Sequence, residues 1–329
     1  MSQTYAAGSV GTGNATSLAD LTPRRKLQLA LGVIWLLDGI LQYQAFMYSK
    51  AFPQMLASGA AGNPAILATP ITWNAGFIAH NLTAYNTIFA TIQVAIGLGI
   101  AWRPAVKPAL AASVVWALGV WWFGEGFNGI LTSSGSSPVA GAPGAVIIYG
   151  LLAVLLWPAD REAPFEAARA VGRRTAQALW LILWTSLAYF ALLPASRAPH
   201  AISQTISGMV AGEPGWLSWI DSHAASALSG QGLAASIVLS AACGVVALGT
   251  YLPSGVARAA VVLAIVVAAA LWLAEGLGGI FTGSGTDPNT GPLLALLALT
   301  FWPVHSAIKQ KAIKQKAIKQ KAITQREGA

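Results

Sequence analysis

Apolar runs long enough to cross about 30 Å of hydrocarbon recur eight times along the chain, near 27–48, 82–102, 108–131, 142–158, 176–195, 230–251, 257–281 and 289–305. They predict an all-α polytopic membrane protein with eight transmembrane helices, and an even number of spans puts both ends on one side. Residues 1 to 23 carry neither a positive n-region nor an apolar h-region, so the first helix is expected to be retained rather than cleaved as a signal peptide.

The pattern repeats. Residues 121–132 read WWFGEGFNGILT and residues 271–282 read LWLAEGLGGIFT; each block leads into a Gly/Ser/Pro loop and then an apolar run ending in Trp-Pro, at Trp157-Pro158 and Trp302-Pro303. Upstream, Trp73 is followed seven residues later by His80, and Trp216 by His223. Four helices per copy predict two repeats in the same orientation, related by a pseudo-two-fold axis along the membrane normal. The expected organisation is a cytoplasmic N-terminal tail (1–26), a first four-helix repeat (27–158), a cytoplasmic linker (159–175), a second four-helix repeat (176–305) and a basic cytoplasmic tail (306–329).

Composition narrows the class. The chain has 329 residues, 55% of them hydrophobic and only 9% charged, too few charges to coat a soluble core, where about 25% is usual. The single cysteine, Cys243, excludes an intramolecular disulfide and a CxxC redox pair. The net charge of +8 suggests nucleic acid until the tail is set apart: residues 307–329 hold seven basic residues and one acidic residue in an AIKQK pentad repeat. A period of five keeps no face of a helix apolar, so the tail is expected to be a solvated extension that anionic head groups attract, and no nucleic-acid partner is implied. Of 19 basic residues, 17 fall in the termini and the even-numbered connections, with only Lys50 and Arg197 opposite. The positive-inside rule then predicts a multi-pass protein with both termini cytoplasmic.

Three acidic residues lie within expected spans: Asp38, Glu125 and Glu275. A carboxylate at membrane depth is costly unless paired, protonated or facing a wet cavity, which makes each a candidate for ligand or proton handling. Glu125 and Glu275 occupy matching places before Gly-rich stretches, with Trp121 and Trp272 on the same helix faces. The expected result is two outward pockets, each with an indole wall and one carboxylate. The plainer alternative is a glutamate that hydrogen-bonds a loop backbone. Asp38 has Leu187 as its counterpart, and the first half is richer in polar groups (Gln42, Gln44, Gln93), so the more active site is expected there. His80 and His223 are weak metal candidates, since two protein ligands hold a metal poorly. No phosphate-binding loop or nucleophile elbow occurs.

Helix 1 (LGVIWLLDGILQYQAFMYSKAF), helix 2 (TIFATIQVAIGLGIAWR) and the apolar helix that follows resemble the DoxX/DoxD-like membrane protein superfamily, through Gly39, Gln42, Gln93 and Gly97. The resemblance implies four-helix units of a bacterial inner (plasma) membrane and, for some members, a membrane subunit of thiosulfate:quinone oxidoreductase. It suggests a quinone-interacting or membrane-anchoring subunit of an electron-transfer system, with quinone bound non-covalently and other membrane-complex subunits as partners. The alternatives are a secondary transporter of a small solute or ion and a non-catalytic assembly subunit.

Overall fold

A computed structural model describes residues 21–132, 135–159 and 161–304; residues 1–20, His305 and the AIKQK tail lie outside the described residues. Among the described residues the chain is 75% helix with no strands. In order, the helices are α1 (Pro23–Leu41), α2 (Ala51–Ser58), α3 (Ala65–His80), α4 (Leu82–Ala101), α5 (Val106–Phe123), α6 (Ala145–Leu155), α7 (Glu166–Val171), α8 (Arg173–Ala191), α9 (Pro194–Arg197), α10 (Ala201–Met209), α11 (Gly215–Leu228), α12 (Gly232–Gly249), α13 (Ser254–Ala274) and α14 (Thr290–Thr300).

Among the described residues, four helical stretches are long and apolar enough to cross a membrane: 82–101, 103–123, 232–249 and 254–274. Only 28–39% of these stretches is buried inside the protein, so most of their apolar surface faces outward, as helices that are hydrophobic all round do in lipid. The other four apolar runs fold differently. Helices α1 and α8 have 19 residues each, but basic first turns and buried glutamines (Gln28, Gln177) lower their hydropathy. Helices α6 and α14 have only 11 residues, about 16 Å of rise. Each follows a stretch of irregular backbone, and before α6 that stretch is buried at Ser136, Ser137, Val139 and Ala142. Non-helical backbone is tolerated at membrane depth only where protein surrounds it.

These short helices sit at the centre. Helix α6 packs on α14, and α14 also touches α1; Ile148, Leu152, Leu293 and Leu297 at this junction are almost fully buried. Around it, glycines let helices close up. A Cβ on Gly39 of α1 would stand 2.5 Å from Val94 Cγ2, and one on Gly97 of α4 would stand 2.9 Å from the Gly32 carbonyl, the small-residue contact that membrane helices favour. Trp35 Nε1 donates to Ser113 Oγ at 3.1 Å and so ties α1 to α5, while Trp180 Nε1 donates to the Val246 carbonyl at 2.8 Å and ties α8 to α12.

Within the expected linker, the described residues 161–172 include α7 and pack against the body, and α8 already begins at Arg173. Phe165 stacks 5.1 Å from Phe301, the Val304 N–H donates to the Pro164 carbonyl at 2.9 Å, and Glu166 pairs with Arg24 (3.6 Å) and Arg169 (3.5 Å).

The order of elements from α8 to α14 follows that from α1 to α6. The shared Trp-to-His spacing, however, is not a match in the fold. Pro64 and Pro214 immediately precede α3 and α11, which places His223 opposite Trp73 and Trp216 opposite Ile66. His80 ends its helix, whereas His223 lies inside one.

Candidate functional site

The EGxxGI blocks are left-handed turns. Gly126, Phe127, Asn128 and Gly129 all have φ between 50° and 68°, and Gly276, Leu277, Gly278 and Gly279 between 52° and 72°. Such a turn costs roughly 1–2 kcal/mol per non-glycine residue, which is why glycine fills most of these places. Phe127 offsets its share by packing edge-on against Trp121, 4.4 Å between ring centres. The turn reverses the chain just after α5 or α13, so Glu125 and Glu275 stand past the last helical turn rather than inside a span.

Both glutamates are thereby aimed at the first turn of a short helix, where free N–H groups and the helix dipole favour a carboxylate. Val146 N–H donates to Glu125 Oε1 at 3.3 Å. Thr290 Oγ1 donates to Glu275 Oε1 at 2.5 Å, and the Gly291 N–H also points at that carboxylate. The resemblance ends there. Glu275 is 1% exposed and sealed in; it is a cap, the plainer of the two roles its sequence allows. Each glutamate keeps an Oε2 without a hydrogen-bond partner, but it is Glu125 that lines a cavity.

That cavity, ≈ 420 Å³ in volume, brings together Asp38 of α1, Gln42 just past its end, Gln93 of α4, Glu125, Tyr149 of α6 and Asp287 from the loop before α14. Tyr149 O–H donates to Asp38 Oδ1 at 2.8 Å, and its ring lies 4.3 Å from Trp35. Trp35, Trp73, Trp116, Phe89 and Phe123 supply aromatic walls, and neither Lys nor Arg lines the cavity. Asn86 Nδ2 donates to the Gln42 carbonyl at 2.7 Å and holds the end of α1 in place. Among the lining atoms, Gln42 Oε1, Gln93 Oε1 and Glu125 Oε2 are acceptors without partners, and Trp116 Nε1 is a donor without one.

Asp287 is the residue sequence reasoning missed. It falls in a connection outside the expected spans, yet the 282–289 loop folds over the first half and Gln44 Nε2 holds it by donating to the Gly285 carbonyl at 3.1 Å. Asn289 N–H and Thr286 Oγ1 donate to the Asp287 carboxylate at 2.6 and 3.0 Å. Burial nevertheless raises its carboxyl from the ordinary aspartate value, and its charge acts on Asp38, Glu125 and Glu275. Tyr149 was missed for a simpler reason: nothing in VIIYGLL sets it apart from other span tyrosines.

The other candidates lie elsewhere. Trp121 stands behind Glu125, its Nε1 donating to the Pro143 carbonyl at 2.8 Å. Trp272 packs against Gly291, where an added Cβ would come within 2.1 Å of its own Cβ. His80 and His223 are exposed and bonded to their own helices, at the Gly76 and Trp219 carbonyls. No group of three His, Cys, Asp or Glu able to hold a metal occurs among the described residues.

A second acidic pair occupies the outer connection of the second half. Where the first half has Asn63 and Ile71, it has Glu213 and Asp221. Asn63 Nδ2 donates to the Gly59 carbonyl at 2.8 Å and the Gly126 carbonyl at 3.5 Å. Glu213 sits against the matching glycine, its Oε1 2.5 Å from where a Cβ on Gly276 would be, and burial together with the Asp221 charge pushes it up to about 7. No family model, curated protein or solved structure matches this chain, so its function has to be argued from the cavity itself.

Proposed function

We propose that the chain is an eight-span protein of a bacterial inner membrane, two parallel four-helix repeats with both termini in the cytoplasm, acting as a secondary carrier that exchanges protons for a small solute in the first-half cavity. The observation that supports this most is a cavity lined by three carboxyl groups, Asp38, Glu125 and Asp287, with no Lys or Arg beside them. Such a set is stable only with protons or with a positively charged occupant, and alternation between the two is what couples a carrier to a proton gradient. The cavity also lies where loop 282–289 of one repeat closes over the other, the kind of interface that carriers rock about.

A second reading is a quinone-interacting subunit, as the DoxX/DoxD-like resemblance implies. The unpartnered Trp116 Nε1 favours it, because that N–H suits a quinone oxygen while hydroquinone hydroxyls suit Gln93 and Glu125. This reading needs another subunit to take the electrons.

The test is ligand-driven proton movement in proteoliposomes loaded with a pH-sensitive dye. Asp38→Asn and Glu125→Gln abolish it and Glu275→Gln does not. Equal loss in Glu275→Gln, or no loss in the first two, refutes the carrier reading. Reporter fusions after residues 60, 175 and 329 read outside, inside, inside; an outside signal at 175 overturns the two-repeat topology.

A further inference from the structure

From the first-half cavity we infer that the occupant is a lipid-soluble organic cation: an amine or quaternary onium centre flanked by apolar groups. This rests on the proton-exchanging cavity above and names its substrate class.

The argument starts from what the lining can offer. Its ionisable groups other than Tyr149 are the carboxyls Asp38, Glu125 and Asp287, so an anion is repelled. Gln42 and Gln93, each 7% exposed, line the cavity and have buried amide oxygens without hydrogen-bond partners. A buried acceptor left unmade carries its full desolvation cost, so an occupant that only accepts hydrogen bonds leaves the site worse off than water would. Turning an amide over would show its NH2 instead, but an ionised carboxylate stays acceptor-only. The occupant that satisfies this set brings positive charge or N–H donors.

The walls specify the rest. Trp35, Trp73 and Trp116, with Phe89 and Phe123, line the same cavity as the carboxyls, and indole faces attract cations more strongly than other aromatic rings do. A volume of ≈ 420 Å³ is in the range of pockets for drug-sized molecules. The cavity also reaches Val115 of α5 and Trp73 of α3, whose side chains are 73% and 64% exposed. In a bilayer these outward apolar groups make a side entrance from the lipid and its interface, a route open to a lipophilic cation.

The test uses the full chain in detergent. Tetraphenylphosphonium and benzyltrimethylammonium, which carry no exchangeable proton, are titrated calorimetrically in buffers of different ionisation enthalpy, against triphenylphosphine oxide and decylhydroquinone as neutral comparators. At least one onium binds tenfold or more tighter than triphenylphosphine oxide, binds more tightly as pH rises and releases protons from the protein. Asp38→Asn and Glu125→Gln weaken it at least tenfold, Trp116→Leu several-fold, and Glu275→Gln leaves it unchanged. Thermal melting of each variant separates loss of binding from loss of fold, and Trp116→Leu keeps an apolar wall if the carboxyl variants do not fold. Equal binding of the neutral oxide, failure of both oniums, or indifference to the variants overturns the inference. Decylhydroquinone binding with proton exchange while both oniums fail sinks the cation and leaves the proton-exchanging cavity standing. No proton exchange with any probe sinks both.

Discussion

The two halves use one sequence of elements to opposite ends. In the first, Asp38, Gln93 and Tyr149 line a cavity; at the matching positions of α8, α12 and α14 the second has Leu187, Cys243 and Leu294, each 0% exposed. Both retain the left-handed turn and a glutamate at the first turn of an 11-residue helix. The turn and the glutamate at the start of the short helix are therefore common to both halves, and what differs is the set of side chains around them. The second half instead carries carboxyls at its outer connection, Glu213 and Asp221, where the first has Asn63 and Ile71.

Exchanging the distinguishing residues should break the comparison most strongly. Leu187→Asp buries a carboxyl among apolar neighbours with no partner, and stability should fall by about 3–5 kcal/mol, read by thermal or denaturant unfolding in detergent. The reverse exchange, Asp38→Leu, should leave the fold intact and remove ligand binding. If Asp38→Leu unfolds the protein as severely as Leu187→Asp does, the first-half carboxyl is structural and the contrast between the halves collapses.

Next in size is Gly144→Ala. Gly144 has φ 110°, and its Cβ would meet Glu125 Oε2 at 2.2 Å, so a loss of about 1–3 kcal/mol is expected from the backbone alone, together with weakened ligand binding because Glu125 must move. Thr290→Val in the second half removes the hydrogen bond to Glu275 and should cost about 1–3 kcal/mol with ligand affinity unchanged. A change of affinity in Thr290→Val would show that the halves are coupled through their caps.

The smallest effect concerns pH. Glu213 is raised from its ordinary 4.5 to about 7, by burial first and by Asp221 second. A carboxyl raised on folding favours the folded state while protonated; its contribution is complete below about 4.5 and is lost as pH climbs through about 7. The melting temperature of the native chain should decline across that window, and Glu213→Gln should flatten the decline. An equal slope in both proteins would mean that Glu213 is solvated.

Much of the helical framework was legible in the chain. Long apolar runs identify helices whatever their neighbours, because hydrocarbon demands that backbone groups pair within the segment, and four of those runs are helices of spanning length. The EGxxGI blocks were legible as a duplication but not as a conformation: four successive residues with positive φ require reading Gly126 and Gly129 against the packing of Phe127. Asp38, Gln42, Gln93 and Glu125 stood out because polar groups at membrane depth are expensive, and all four meet in one cavity.

What the chain alone determined, then, is where helices must form and which polar residues are costly enough to need a reason, because both follow from local composition and the solvent. Only the tertiary structure decided that α6 and α14 are short helices meeting at the centre, that Glu275 is sealed as a cap while Glu125 lines a cavity, and that Asp287 crosses from the second half into the first. These outcomes depend on which distant surfaces touch. Glu125 and Glu275 have nearly the same neighbours in sequence, and they differ in what surrounds them: Glu125 lines a cavity with Asp38, Gln93 and Tyr149, whereas Leu187, Cys243 and Leu294 at the matching positions of the second half are fully buried apolar residues.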